Sequence, residues 1–243
     1  MKKLLKQLRG RKYICFMDFE GTQFSHEMIA IGAVFATINP KTGRIRKSKA
    51  PFHILVRAKN KIGKYVVDLT GITEEDLREK GVTFTTAMME LKKYCGMNFK
   101  KCLFVTFGNH DMRIISQTIT YNLSFPKEIC SQIQKNYMDY SAFISEFIKD
   151  ENGNPLSLVH YCEMFNVPEA GVAHDPSVDA VNLMNLYDAF LNNKEIALNQ
   201  YKLVLQRTNS HFPPPVAKTI TALAAGKDIS AQEFENLLKE YLD

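Results

Sequence analysis

The chain has 243 residues, 45% of them hydrophobic, and a formal net charge of +5. That supplies a substantial core for one large domain, or one domain with an appendage, and is too weakly basic to announce a nucleic-acid binder by charge alone. Its five cysteines, Cys15, Cys95, Cys102, Cys130 and Cys162, are odd in number and show no C-x-x-C spacing, which argues against a disulfide framework and a zinc knuckle and for small core residues in a reducing compartment.

The opening MKKLLKQLRGRKYICFM begins like a signal peptide, but its apolar stretch is short, has no small-residue cleavage site and runs straight into Asp18 and Glu20. No later run approaches the roughly 18 apolar residues that span a bilayer, so a cytoplasmic protein without a membrane association is expected. Residues 2–12 carry Lys2, Lys3, Lys6, Arg9, Arg11 and Lys12 with no acid. KYICFMDFE then reads as a buried strand and MIAIGAVFATI as a second, rich in β-branched residues. NPKTGR has the Pro and Gly of a turn, and SKAPFHILVRA supplies a third strand, giving an antiparallel meander. Residues 41–49 form a second acid-free basic cluster, with Lys41, Arg44, Arg46, Lys47 and Lys49. Each cluster reads equally as a solvated segment or as a track for a phosphate backbone.

After LTGITEEDL the period changes: Phe84, Met88, Leu91 and Cys95 mark one face of a helix. KCLFVTF is a short apolar strand, and Met112, Ile115 and Ile119 line the next helix. A fifth strand is expected near YMDYS, with helices at 141–149 and 155–165. In HDPSVDAVNLMNLYDAFL, Asp175 suits a helix cap, Pro176 suits the first helical position, and Ala180, Leu183, Met184, Tyr187 and Leu191 form an apolar stripe. HFPPPVAK interrupts the chain, and one or two short helices follow. The expected architecture is α/β, a mixed five-stranded sheet flanked by helices, with a main domain at 1–195 and a helical extension at 196–243.

Three stretches carry candidate chemistry. Asp18 and Glu20 are two apart on a strand, so they project from the same face about 6.5 Å apart and repel unless something neutralises them. Asp111 follows a buried strand through a Gly-containing turn and opens a helix, where ligand-binding groups are often displayed. His174 lies on the approach to a helix, and Asp179 one turn inside it. Singly, each reads as well as an ordinary surface or paired group.

In this order and on these elements, the three stretches resemble the exonuclease motifs of the DEDD superfamily, of ribonuclease H-like fold. The match is to the histidine-bearing DEDDh branch: the tyrosine branch would place Tyr four residues before the last acid, where this chain has Asp175. DFEGT, IAIGAV, LTGIT and FGNHD look most like the small exonucleases related to the KapD sporulation regulator and to the exoribonucleases that trim small RNAs and histone messages. Departures are Ala30, where relatives often carry an acid, and Phe107, where many have Trp.

The resemblance implies a 3′-to-5′ exonuclease acting on single-stranded RNA or DNA, RNA being slightly favoured, with two Mg²⁺ or Mn²⁺ ions and release of nucleoside 5′-monophosphates. Asp18, Glu20, Asp111 and Asp179 would hold the ions and His174 would be the general base. His110, beside Asp111, does not match the base and is assigned a structural or supporting role. Gly21 and Thr22 would border the terminal nucleotide, and Leu69 and Ile72 would support or wedge its base; Phe24 reads equally as a platform on which a base stacks and as a loop aromatic packed on the core. The alternative is a nucleic-acid-binding or polymerase-associated subunit of the same fold, docked through its C-terminal segment, in which catalysis is secondary.

Overall fold

Apolar residues run almost without a break through β1 (Tyr13–Gly21) and β2 (Met28–Ile38) because helices cover both faces of the sheet they form. The computed structural model describes residues 2–172, 174–208 and 211–242. β1 and β2 pair antiparallel from Tyr13 opposite Thr37 to Gly21 opposite Met28. β3 (Ile45–Ser48) and β4 (Phe52–Leu55) both add antiparallel to β2, while β5 (Cys102–Thr106) and β6 (Tyr137–Asp139) extend the sheet in parallel from β1. The sheet is therefore mixed and has six strands, in the order β3-β2-β1-β5-β6 with β4 also on β2.

The expected count of five strands is corrected by β3, which forms from the basic stretch IRKS just before the third apolar run, while β4 alone lies within that run. Pro51 has no N–H to give a ladder. β3 takes Ala36–Ile38 of β2, and β4 takes Ala30–Ala33. The meander and the helix-flanked α/β architecture are as expected.

α1 (Lys2–Leu8) buries Leu4 and Leu8, one helical turn apart, so the apolar residues that look like a signal peptide are the inner face of a short helix. LTGITEEDL contains the end of α2 (Lys64–Thr70) and most of α3 (Glu74–Glu79). Gly71 turns the chain between them at φ +71°, and Thr73 forms a reciprocal capping box with Asp76. α4 (Phe84–Cys95), α5 (His110–Tyr121) and α6 (Lys127–Lys135) pack on the face of β1 that carries Cys15, Met17 and Phe19. All five cysteines are buried and free.

α7 (Tyr140–Ile144) follows β6, and α8 (Leu158–Met164) precedes α9 (Pro176–Asn192), whose Tyr187 meets Phe16 of β1 edge-on at 5.3 Å on the opposite face. All these elements but the end of α7 belong to a unit formed by Met1–Ala142 and Ser157–Asn192. The second unit, Phe143–Leu156 with Asn193–Asp243, carries α10 (Lys194–Arg207), α11 (Pro214–Ala224) and α12 (Ala231–Leu242), the last two being the short helices expected at the end of the chain. Within it Phe147 packs edge-on against Tyr201, and Arg207 donates to the Asp150 carbonyl at 3.0 Å. Among the described residues, no helix is long and apolar enough to cross a membrane.

Candidate active site

The site begins where two neighbouring strands part. β1 pairs with β5 only from Tyr13 to Phe16. Beyond that point β5 turns into α5, and the open edge of β1 faces a helix start instead of a strand. The Phe19 N–H donates there to Asp111 Oδ1 at 2.8 Å, which fixes the buried Asp111 carboxyl against the backbone between Asp18 and Glu20. The turn before α5 is held by the Gly108 carbonyl, which accepts hydroxyls from Thr106 at 2.7 Å and Tyr137 at 2.6 Å. Gly108 itself has φ +104°, a conformation few other residues adopt.

α9 brings the remaining groups. Gly32 of β2 lies opposite Asp18, and a Cβ on it would sit 1.9 Å from the carbonyl carbon and oxygen of Pro176. The missing side chain lets the start of α9 lie directly on the sheet. Asp175 Oδ1 accepts from the Ser177 N–H at 2.8 Å and the Ser177 hydroxyl at 2.6 Å, so Asp175 caps the helix as expected. One turn in, Asp179 Oδ2 accepts the N–H of His174 at 3.0 Å; His174 is exposed and has φ +65°.

One cleft of about 300 Å³ is lined by Asp18, Glu20, Asp111, His174 and Asp179. All five residues singled out for catalysis are thus brought together, from β1, α5, the approach to α9, and α9 itself. Burial raises the pKa of Asp18 well above the carboxylate range, and the charges of Asp111, Glu20 and Asp179 add to it. Burial, with Asp179 and Asp111 nearby, pushes Glu20 up to about 8. Asp111 is pushed up to about 7 by burial, against the lowering effect of the Phe19 hydrogen bond, and burial also raises Asp179. Among the described residues, no three acidic, histidine or cysteine groups already stand at ion-holding distances. The donor set nevertheless fits hard divalent cations: four carboxyl groups, oxygen ligands only, whose ionised forms lack a compensating charge.

The expected substrate-binding residues are not in the lining of this cleft. Gly21 ends β1, and a Cβ there would press on Ile114 Cγ1 at 3.0 Å. Thr22 is buried; its hydroxyl accepts from the Glu27 N–H at 3.0 Å and lies 2.6 Å from Ser25 Oγ, closing the turn after β1. Phe24 is 82% exposed on that turn. Leu69 is partly exposed on α2, whereas Ile72 is buried in a small cluster with Ile29, Ile62 and Leu77.

Phe19, Phe107, His110, Ser157, Leu158 and Val159 complete the lining. Ser157 to Val159 are not among the residues expected from the sequence, although LSLVH carries a helix-cap signal: Ser157 Oγ receives the His160 N–H at the start of α8. His110 is in the cleft wall, its ring edge-on to His26 at 5.2 Å. Its pKa is lowered by burial and by His26 and Arg113.

A family model described as an exonuclease (RNase_T) matches residues 15–187. A comparison with curated protein sequences finds no match. Among solved structures, the chain is similar to the nuclease domain of 3′hExo, a DEDDh family member bound to rAMP, at 21% identity and a TM-score of 0.59 over 75% of this chain and 93% of that one. It is similar to cell-death related nuclease 4 (CRN-4) at 22% identity and 0.58, over 75% of this chain and 64% of that one. Exonuclease I of E. coli, in complex with a dA16 oligonucleotide, matches at 15% identity and 0.56, over 81% of this chain and 44% of that one. This chain therefore spans less than two thirds of CRN-4 and less than half of Exonuclease I, and at these identities the likeness is one of fold.

Proposed function

The chain belongs to the RNase_T exonuclease family, and we propose on that premise that it is a DEDDh-type 3′-to-5′ exonuclease. It hydrolyses phosphodiester bonds at the 3′ end of single-stranded nucleic acid, RNA being the favoured substrate, and releases nucleoside 5′-monophosphates. The observation that carries this reading is the meeting of Asp18, Glu20, Asp111, His174 and Asp179 in one cleft from distant parts of the chain. The solved structures of 3′hExo with rAMP and of Exonuclease I with an oligonucleotide support nucleic acid as the substrate class.

Asp18, Glu20, Asp111 and Asp179 would hold two Mg²⁺ or Mn²⁺ ions, which when bound supply positive charge for the attacking and leaving oxygens. The protein's own contributions are positional and protolytic. Phe19 N–H holds Asp111 against β1, and His174 N–H holds Asp179 near the start of α9. The imidazole of His174 takes the proton of the attacking water. Phe107, Leu158 and Val159 add apolar wall to the cleft, which limits competing water around the scissile phosphate.

A single strand labelled at its 5′ end and incubated with Mg²⁺ is expected to shorten progressively from the 3′ end, and His174→Ala to stop this. Matched RNA and DNA strands in parallel measure the preference. Tight binding with the strand left at full length, in the presence of Mg²⁺, would instead support the binding-subunit reading, in which the C-terminal helices dock on a partner.

A further inference from the structure

Two basic segments far apart in the sequence, residues 2–12 and 41–49, meet at the end of the sheet away from the acidic cleft. Between them lies Gly43, buried at the tip of the β2–β3 connection. A Cβ on it would stand 3.2 Å from Leu8 Cδ1 of α1 and 3.4 Å from Leu191 Cδ1 of α9. The Tyr187 hydroxyl of α9 donates to the Gly43 carbonyl at 2.8 Å, and Ile38 N–H donates to the Lys12 carbonyl at 2.9 Å. The end of α9 thus seats both segments on one edge.

The charge of the molecule is concentrated there. The two segments hold eleven Lys and Arg and no acid; the rest of the chain has 20 basic against 26 acidic residues, a net of −6. Some of these cations have local partners: Arg11 donates to Asn136, and Lys49 donates to the Tyr94 carbonyl over the rings of Phe35 and Tyr94. Lys6, Arg9, Lys12, Arg44, Arg46 and Lys47 are exposed. Among the described residues, none of these six is paired with an acid. Asp188 is the acid beside the connection, and its carboxylate accepts the Ile45 N–H and the Asn192 amide.

We propose that this basic edge is a second nucleic-acid contact, which holds the phosphate backbone of a strand whose 3′ end lies in the cleft. The inference rests on the exonuclease reading for the placing of that end. α9 sets the separation. Asp179 is in the cleft, and Tyr187 and Leu191, eight and twelve residues further on, support the edge, about 12 to 18 Å away at ~1.5 Å per residue. At a stacked rise of ~3.4 Å per nucleotide, a strand reaches the edge only when it has roughly five nucleotides or more. Shorter substrates use the cleft alone.

The test compares the full chain with the variant Lys6→Gln/Arg9→Gln/Arg44→Gln/Lys47→Gln, all exposed positions, after checking that the melting temperature is unchanged. The substrates are a 20-nucleotide single strand and a mononucleotide p-nitrophenyl ester, both with Mg²⁺. Binding of the 20-mer is also followed by fluorescence anisotropy without divalent ions across a salt series. The expected result is a KM for the 20-mer raised at least about tenfold, hydrolysis of the small ester unchanged, and a salt dependence made shallower by about 0.7 for each phosphate that the edge no longer holds. Equal effects on both substrates, or none on either, overturn the proposal. So does charge-dependent binding to vesicles containing phosphatidylserine with no change in strand binding. Strand binding that depends on these charges in a protein that cleaves neither substrate breaks the exonuclease reading and supports the edge as a nucleic-acid contact.

Discussion

The two halves of β1 are consecutive in one strand and opposite in character. From Tyr13 to Phe16 the strand has β2 on one side and β5 on the other, and its buried side chains are apolar. From Asp18 to Glu20 it keeps β2 but loses β5, and the Phe19 N–H is taken by a carboxyl group from α5. Where the sheet is complete, backbone polar groups satisfy one another and the side chains only pack. Where it opens, side chains must satisfy the backbone, and acids that burial and mutual repulsion leave with raised pKa values collect in the gap.

The largest expected effect comes from removing charge in the open half without changing its shape. In Asp111→Asn the amide oxygen can still accept the Phe19 N–H, so the melting temperature should hold or rise as a source of repulsion is removed. Charge stabilisation by bound cations is worth several kcal/mol, and cleavage should fall about 10³-fold or more at ~1.4 kcal/mol per decade. Asp111→Ala adds a stability loss of about 1 to 3 kcal/mol, because the buried N–H is left without a partner. If Asp111→Asn kept near-normal cleavage of a labelled strand, the open half would be a structural gap and not a catalytic one.

Gly32→Ala approaches the same half from outside. Its Cβ would collide with the Pro176 carbonyl, so α9 must lift from the sheet. Overpacking of this kind costs about 1 to 3 kcal/mol, and a displacement of Asp179 and His174 by about 1 Å can lower kcat about 10²-fold. Thermal melting and single-turnover cleavage read the two effects separately. Normal cleavage in a destabilised variant would show that α9 is not needed in its present place.

Gly32 also marks a limit of what the sequence could reveal. Asp18, Glu20, Asp111, His174 and Asp179 are legible because their motifs are local and each sits at a strand end or helix start, where side-chain direction follows from the element. The meander, the buried β1 and β2 and the capped α9 are legible from periodicity for the same reason. Gly32 is one of several glycines in apolar surroundings, and only the approach of α9, nearly 150 residues later, gives it a role. Ser157 to Val159 are in the same position, since a helix cap signals a helix but not the cleft it borders. The break between β3 and β4 is foreshadowed by Pro51, yet the basic IRKS stretch adding its own strand to another part of β2 is a matter of sheet geometry. Thr22 and Ile72 carry family-like motifs, and their burial appears only once the chain has folded.

Titration separates the halves of β1 more gently. Glu20 is raised from 4.5 to about 8, so its folded form holds a proton that the unfolded chain has given up. The penalty for its charge is absent below about pH 4.5, grows as pH rises, and is complete above about pH 8. Asp111, raised from 3.8 to about 7, acts in the same direction over a lower window. Protein stripped of divalent ions should therefore lose thermal stability between pH 5 and pH 8. Mg²⁺ should restore it most at pH 8, by about 2.7 kcal/mol at a hundredfold excess over Kd. Calorimetry with EDTA and with Mg²⁺ across this range checks both signs, and a Mg²⁺ effect that is flat or larger at pH 5 would show that these carboxyl groups do not bind the ion.

The smallest effects are expected just beyond the open end of β1, where Thr22 and Phe24 resemble nucleotide contacts in sequence but are placed differently. Thr22 is buried and its hydroxyl accepts the Glu27 N–H, so Thr22→Val should cost about 1 to 3 kcal/mol of stability by leaving that donor unpaired. Its effect on KM should be secondary, and Thr22→Ser should recover most of the loss. Phe24 projects to solvent and has little packing to lose, so Phe24→Ala should leave the melting temperature unchanged. If a base stacks on the ring, the same change weakens strand binding by about 1 to 3 kcal/mol. Melting curves and anisotropy titrations therefore separate the two variants: one shifts stability, the other affinity. A stable, tightly binding Phe24→Ala would leave the turn after β1 a structural hinge for the cleft and remove it from the nucleotide's path.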